Sequence, residues 1–257
     1  MYLRRKLRRF IFERIIQRRN INPSKTVILG FLGLILLGAL LLCLPISSRS
    51  GEWTPFLTAA FTSTSATCVT GLIVVDTYSY WSGFGQCVIL ALIQCGGLGF
   101  MTFAAVFSFL LRRTIGLRER LVMTQSLNVN DISGVVRLTR HILYATIFAE
   151  GCGAVILSIR FAGMFGWVDG IKKGVFHSVS AFCNAGFDLM GQMKPYSNMT
   201  EVVGDPIINI TLMALIVFGG LGFFVWEDIY RNRRFSNLAL HTKLVVVITV
   251  IYTFCCN

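Results

Sequence analysis

Two short segments of the chain carry residue types that could coordinate a dehydrated cation. They read Thr67-Cys68-Val69-Thr70-Gly71 and Cys183-Asn184-Ala185-Gly186. A cation that gives up its water needs oxygens in return, and backbone carbonyl groups can supply them. Glycine removes the steric cost of the unusual backbone conformations that such a loop needs. We therefore predict that these two candidate filter segments line an ion pathway, with tight turns at Gly71 and Gly186.

Each of these segments precedes a copy of the pentapeptide Gly-Gly-Leu-Gly-Phe, at Gly96–Phe100 and at Gly219–Phe223. The glycines Gly71 and Gly186 are 115 residues apart, and the two pentapeptides are 123 residues apart. The near match between the two offsets indicates that one unit occurs twice. We expect the pentapeptide glycines to let neighbouring helices approach closely, as small residues do in membrane helices. A hinge in each helix is the alternative.

The composition is typical of a membrane protein. Only 14% of the 257 residues are charged, against about a quarter in a typical soluble domain, and the mean hydropathy is +0.68. The formal net charge of +12 would suit nucleic-acid binding in a soluble protein. Here, however, the basic residues flank long apolar runs, where they set orientation and can contact lipid. We expect a multi-pass protein of the cell membrane and no nucleic-acid partner.

The apolar runs predict an all-α polytopic fold built from tandem helix–re-entrant loop–helix units. Two segments, at 54–67 and 171–182, are too short to cross a bilayer and lead into the two candidate filter segments. Irregular backbone at membrane depth is tolerated only where it is buried in protein or lines water. Each short segment is therefore predicted to enter from outside and to turn back. Full spans are predicted at 26–44, 83–111, 141–162 and 207–226.

The predicted organisation places these units between basic cytoplasmic segments. Residues up to Lys25 and the two connectors hold 19 of the 24 Arg and Lys residues, and the positive-inside rule puts them in the cytoplasm. The amino terminus is therefore predicted to be cytoplasmic, either as a surface helix or as a disordered anchor. The regions are a basic amphipathic segment at 1–25, a first unit at 26–111, a connector at 112–140, a second unit at 141–230, and a connector with the start of a third unit at 231–257.

Three carboxylates outside the filter segments are further candidates for the ion path. Asp76 and Asp188 follow the filter glycines, where they could attract cations at the pore mouth or brace the outer loops. Glu150 falls inside a predicted span, and an intramembrane carboxylate is a functional candidate by default. A structural hydrogen bond between Glu150 and a Ser, Thr or Arg is the alternative. No catalytic cluster, nucleotide site or metal-type spacing accompanies them, so we expect neither an enzyme nor a cofactor, and a secondary carrier is a weaker alternative.

Two longer motifs, FTSTSATCVTGL at 61–72 and HSVSAFCNAGFDL at 177–189, closely resemble pore loops of the Trk/Ktr/HKT potassium transporter superfamily. The resemblance is strongest to the bacterial Ktr-type membrane subunit. It implies four helix–pore loop–helix units around a pseudo-fourfold pore, with filter carbonyls at Thr67–Gly71 and Cys183–Gly186. It also implies inward movement of potassium as the substrate, with or without sodium. Its further implications are a homodimer and a cytoplasmic ring of nucleotide-binding regulatory subunits.

The chain departs from that family in the number of its units. Two complete units and the start of a third do not close a fourfold ring. A truncated product or partial sequence is the favoured explanation, because 244–257 has the composition of a span cut midway. Assembly of two copies into one pore is the alternative. A non-conducting product that only binds partner subunits is the rival to an ion-translocating one.

Overall fold

The computed structural model describes residues 23–99 and 135–255. Most of the predicted amphipathic segment, the end of the span predicted at 83–111 and most of the connector predicted at 112–140 lie outside the described residues. Within the described ranges the fold is all-α, without a named strand, and one isolated antiparallel bridge joins Ser48 to Trp81. The predicted fold class is thus confirmed at the level of an all-helical protein.

Helices α1 to α9 follow the predicted order of spans and short segments. Helices α1, α4, α5 and α7 correspond to the predicted spans, and α2 and α6 to the predicted re-entrant segments. The bounds are α1 Pro23–Cys43, α2 Phe56–Thr67, α3 Thr77–Tyr80, α4 Gly83–Gly97, α5 Val135–Phe165, α6 Trp167–Phe182, α7 Pro206–Gly220, α8 Phe223–Asn232 and α9 Leu240–Cys255. Short 3-10 turns lie at Pro45–Ser47, Met190–Gln192, Thr200–Val202 and Phe235–Asn237.

By length and composition, one helical stretch within the described ranges could cross a membrane by itself. It is Thr139–Phe165 in α5, with 27 residues and a mean hydropathy of 1.9. Helices α7 and α8 pass the same test together, although they are bent by 90° where they meet. Shorter apolar helices occur at Val27–Cys43, Gly83–Gly97 and Leu240–Ile251.

The predicted span at 207–226 is wrong as a continuous helix. Helix α7 ends at Gly220 and α8 begins at Phe223, and Gly222 between them has a φ of +84°. Glycine adopts this left-handed conformation without the cost that a side chain would impose. The third glycine of the second pentapeptide therefore allows the chain to turn sharply at this point.

Helix α6 begins four residues before its predicted start, and α5 begins at Val135 within the region predicted as a connector. The chain turns at Gly166, whose φ is +83°, and not at the turn-like Asp169-Gly170 pair. Gly170 instead allows close packing of α6 on α5, since a methyl group there would lie 2.5 Å from the backbone nitrogen of Ala162. Gly170 therefore serves helix packing, whereas Gly166 serves the turn.

The core positions the two short helices between the longer ones. Helix α2 packs against α1 and α4, and α6 packs against α5 and α7. One buried cluster, with Leu42, Ile89 and Trp81, surrounds α2, and a second, with Leu157, Phe161 and Leu215, surrounds α6. Each candidate filter segment therefore follows a helix that is held on both sides.

Candidate functional site

Helices α2 and α6 both end in a Schellman motif, in which two N–H groups beyond the helix donate back to its last turn. The corresponding donors and acceptors of the two motifs are 115 residues apart. The two candidate filter segments therefore begin with the same backbone geometry. The bonds run from Val69 N to Ala66 O (3.3 Å), Thr70 N to Ser65 O (2.9 Å), Asn184 N to Ala181 O (3.0 Å) and Ala185 N to Ser180 O (2.7 Å).

Val69 and Asn184 hold the same position in the two motifs, and both have a left-handed backbone, with φ of +57° and +58°. Asparagine visits this region with some ease, but a β-branched residue there is a genuine outlier. Such strain costs on the order of 1–3 kcal/mol and persists only where the surrounding structure holds it. The first segment is therefore strained at a predicted filter residue where the second is not.

The structure brings the two segments together at their glycines. Gly71 and Gly186 both have a φ of +72°. A methyl group on Gly71 would lie 3.3 Å from the Cα of Gly186 and would overlap the carbonyl oxygen of Ala185. A methyl group on Gly186 would lie 3.7 Å from the Cα of Gly71. Bare backbone of one loop thus packs directly against bare backbone of the other.

Side chains brace both segments against neighbouring helices. The hydroxyl of Thr70 donates to the Ser65 hydroxyl oxygen at 3.0 Å. In the second loop, the Asn184 amide lies 3.4 Å from the carbonyl oxygen of Ile216 on α7, and the Ser180 hydroxyl donates to Phe187 O at 2.6 Å. The side chains of Thr70 and Asn184 thus help to hold the two loops in place.

The remaining predicted filter residues differ in exposure. Thr67 is buried, and its hydroxyl has no hydrogen-bond partner among the described residues. Cys68 is exposed, whereas Ala185 is buried and belongs to the apolar cluster around α2. A filter would use the backbone carbonyls, so the exposure of these side chains neither supports nor contradicts the predicted role of any of the residues.

His177 holds the chain beyond the second segment against α6. Its Nε2 accepts from the backbone N–H of Leu189 at 3.1 Å, so the ring proton is assigned to Nδ1, which donates to the carbonyl oxygen of Lys173 at 2.7 Å. The side chain is 2% exposed. His177 is therefore a neutral histidine with both ring nitrogens engaged in structural bonds.

A serine ties each short helix to the preceding long one. The Ser63 hydroxyl donates to the carbonyl oxygen of Ile35 on α1 at 2.7 Å, and the Ser178 hydroxyl donates to that of Glu150 on α5 at 2.6 Å. Donors and acceptors are again 115 residues apart. The internal repeat is thus reproduced at the level of single hydrogen bonds.

The first glycine of each pentapeptide lies against the end of a short helix. A methyl group on Gly96 would overlap the carbonyl oxygen of Thr67, and one on Gly219 would overlap that of Phe182. The predicted close-packing role is confirmed at these two positions. The third glycine of each copy differs, because it has a φ of +80° in the first and +84° in the second.

Asp76 lies between α2 and α3 in the first half, where its carboxylate braces the chain. It accepts the N–H of Ser79 at 2.7 Å and that of Tyr196 at 3.2 Å. Burial alone would raise the pKa of Asp76, but the hydrogen bonds that it accepts, chiefly from Ser79, lower that pKa below its usual value. Tyr196 belongs to the second half, so this carboxylate connects the two halves.

Asp188 lies two residues beyond Gly186 and is partly buried. Its carboxylate accepts the N–H of Met190 at 2.8 Å. Burial raises the pKa of Asp188, and the bond from Met190 opposes that rise in part. A role of Asp76 or Asp188 in attracting cations stays a prediction.

Sequence reasoning missed Lys173, which is 1% exposed beside the second segment. Its ammonium group donates to the carbonyl oxygen of Leu189. It also lies 4.4 Å from the ring centre of Tyr78 and 4.6 Å from that of Phe165, within range of cation–π attraction. Its position one helical turn before His177 is the signal that could have placed it on the buried face of α6.

Glu150 lies on α5, and its partner is an amide rather than the predicted Ser, Thr or Arg. Both carboxylate oxygens accept from the Gln94 side chain on α4, at 3.0 and 3.1 Å. Sequence reasoning also missed Gln94. A glutamine inside an apolar span is a signal for a bond between helices.

Residues 10–251 match the TrkH family, described as cation transport protein. The potassium/sodium uptake protein NtpJ of Enterococcus hirae is 42% identical over 234 residues, or 91% of this chain and 51% of that protein. Ktr system potassium uptake protein B of Bacillus subtilis is 42% identical over 239 residues, or 93% and 52% of the two chains. Its namesake in Vibrio alginolyticus is 39% identical over 230 residues, or 89% and 49%. The chain spans about half the length of the curated relatives that it matches.

Proposed function

The chain belongs to the TrkH family of cation transport proteins, and we propose that it forms part of a potassium pore in the cell membrane. The observation that carries this proposal is the approach of two equivalent loops at Gly71 and Gly186, each placed by a short buried helix. Potassium is the proposed substrate because two relatives that are 42% identical to this chain are named for potassium uptake.

Selectivity is proposed to come from the backbone carbonyls of Thr67–Gly71 and Cys183–Gly186. Two further features favour a cation here. The carboxyl ends of α2 and α6 lead directly into the loops, and a helix carboxyl end carries partial negative charge. The glycines let the backbones of the two loops pack side by side, so carbonyl oxygens of both loops could face one ion path.

The chain is proposed to contain two helix–re-entrant loop–helix units, namely α1, α2 and α4, and then α5, α6 and α7. The contacts that recur 115 residues apart support this division. A pseudo-fourfold pore needs two further units, which a longer chain or a second copy would supply. Ion movement is proposed to be passive and inward, with the amino terminus and the connectors in the cytoplasm.

Regulation is proposed to reside in a cytoplasmic ring of nucleotide-binding subunits below a dimer of the pore protein. The words "Ktr system" in the names of two relatives support an assembly of several components. A chain that assembles without conducting is the second candidate, because its two loops would fill two of four positions around a pore.

Rubidium uptake tests the proposal in cells that lack their own potassium uptake systems. The cells would express the 257 residues alone, the same residues joined to the downstream half of a related subunit, or the related subunit as a positive control. We expect uptake by the joined protein and lower selectivity for potassium over sodium in its Gly71→Ser and Gly186→Ser variants. A joined protein that reaches the membrane and assembles but carries no rubidium would favour the non-conducting alternative. Unchanged selectivity in both variants would remove these glycines from the filter.

A further inference from the structure

A chain of three polar side chains runs from α5 to the second filter loop. We propose that Glu150 is a positioning residue for this loop, acting through Gln94 on Cys183. This role presupposes the proposed function, because the loop would set ion selectivity. In this role the Glu150 carboxylate maintains the geometry of the filter loop and does not itself bind the ion.

The first step is the bond between Glu150 and Gln94. The Nε2 atom of Gln94 lies 3.0 Å from one oxygen of the Glu150 carboxylate and 3.1 Å from the other. Both oxygens of Glu150 are thus placed to accept from this nitrogen, whereas an amide in the same place could present either a donor or an acceptor. Glu150 therefore fixes which way the Gln94 amide points.

The second step is the contact between Gln94 and Cys183. With its NH2 group turned to Glu150, Gln94 presents its oxygen to the thiol of Cys183, whose sulfur lies 3.9 Å away. A thiol is a weak donor, so the amide oxygen is the matching partner. If the amide were reversed, its NH2 group would face the sulfur, and the S–H···O bond would be replaced by a weak N–H···S contact with different geometry.

The third step is the confinement of Cys183 by the backbone of α4. A methyl group on Gly97 would lie 2.5 Å from the sulfur and 2.7 Å from the Cβ of Cys183. Gly97 follows Gln94 by about one helical turn, so the cysteine lies in a slot between them. Cys183 is also the residue that caps the carboxyl end of α6, and the chain turns into the left-handed Asn184 directly after it.

Comparison of the two repeats shows which contacts both halves share and which belong only to the series of polar side chains. Ile35 holds the position in the first half that Glu150 holds in the second, and the carbonyl oxygens of both accept from the equivalent serines. Docking of the short helix therefore needs no carboxylate. At the pentapeptide offset, Val217 corresponds to Gln94. The polar chain is thus an addition that joins the two halves at the second loop.

The proposal is tested in the joined full-length protein described above. Glu150→Gln keeps the size of the side chain and its ability to bond to Gln94. It places two amides opposite each other, however, and either amide can then turn over. We expect a roughly three- to tenfold loss of selectivity for rubidium over sodium, the range associated with one hydrogen bond. Ser178→Ala is the matched control, because it removes the bond to the backbone carbonyl of Glu150 and leaves its carboxylate in place. We expect a lower yield or thermal stability for this control, with unchanged selectivity.

A double variant tests whether the effect passes through the cysteine. If it does, Glu150→Gln should have little further effect on selectivity in a Cys183→Ala background, because coupled residues are not additive. Additive effects would overturn the proposed route. If Glu150→Gln does not accumulate in the membrane, Gln94→Met interrupts the chain at its centre and should give the same loss.

Thiol alkylation provides a readout that does not depend on transport. The rate of maleimide labelling at Cys183, measured peptide by peptide with mass spectrometry, should rise several-fold in Glu150→Gln. Labelling of Cys68, its repeat equivalent, should not change. An unchanged rate at Cys183 together with unchanged selectivity would overturn the proposal. A higher labelling rate in a protein that carries no rubidium would instead support the polar chain and contradict the proposed function.

Discussion

Gly71 and Gly186 face each other so closely that a methyl group on the first would lie 3.3 Å from the Cα of the second. Their φ values are the same, at +72°, but their surroundings differ. A methyl group added to Gly71 would overlap the carbonyl oxygen of Ala185. A methyl group added to Gly186 would meet only the Cα of Gly71, at 3.7 Å. The two glycines therefore have the same φ, but there is less room for a side chain at Gly71 than at Gly186.

This inequality predicts different tolerance to alanine. Both substitutions force a side chain into a left-handed conformation at a cost of about 1–2 kcal/mol. Gly71→Ala also creates a clash with backbone, which cannot rotate away as a side chain could. We expect Gly71→Ala to lower the thermal stability of the detergent-solubilised chain more than Gly186→Ala does. Equal losses would show that the second loop yields to the added methyl group.

Val69 and Asn184 permit a reciprocal exchange. Val69→Asn should stabilise the chain by about 1 kcal/mol, because it replaces a strained β-branched residue by one that tolerates the left-handed region. Asn184→Val should destabilise it by at least that amount, because it adds the strain and removes the amide contact to Ile216. Thermal unfolding of both variants checks the prediction. A destabilising Val69→Asn would mean that the valine side chain contributes more through packing than its backbone loses through strain.

The close-packed pentapeptide glycines predict large effects of a single methyl group. Gly96→Ala and Gly219→Ala should each destabilise the chain by about 1–3 kcal/mol, since each added group meets a backbone carbonyl. Gly33→Ala on α1 is the matched control, because nothing lies within 4 Å of its added methyl group. Alanine favours helix over glycine by up to about 1 kcal/mol, so the control should be neutral or stabilising. Similar melting temperatures for all three variants would contradict the packing role.

Asp76 predicts a loss of stability in acid. Its pKa in the folded chain lies below the unfolded value of about 3.9, so the ionised carboxylate stabilises the fold at neutral pH. That contribution is lost as the pH falls through the lowered pKa. We expect the difference in thermal stability between the wild-type chain and Asp76→Asn to shrink from about pH 7 to about pH 3. Asp188 has a raised pKa, so its protonation favours the folded chain as the pH falls. Comparing the wild-type chain with Asp76→Asn at each pH cancels this contribution. A difference that does not change with pH would mean that the braces at Ser79 and Tyr196 do not require the charge.

Local sequence predicted the features that depend on local chemistry. Both short helices end at the predicted residues, Thr67 and Phe182, because the turn beyond each is marked by glycine and polar residues. The resemblance to the Trk/Ktr family, read from the two loop motifs, is confirmed by the family match and the relatives.

Contacts between distant segments could not be predicted from the same signals. Gln94 and Glu150 are 56 residues apart on different helices, and nothing in the pattern of either helix names its partner. The ammonium group of Lys173 contacts the ring of Tyr78, which lies on α3 in the other half. Glycine was also ambiguous, since Gly170 and Gly219 serve packing whereas Gly166 and Gly222 have a left-handed backbone.

The serines that dock the short helices bear on how such a chain can diversify after duplication. Ser63 and Ser178 both donate to backbone carbonyls, which are present whatever side chain the accepting residue carries. Mutations at positions 35 and 150 can therefore accumulate without undoing the attachment of either helix. A duplicated gene can in this way keep one architecture while each copy acquires its own chemistry, as isoleucine in one half and glutamate in the other illustrate.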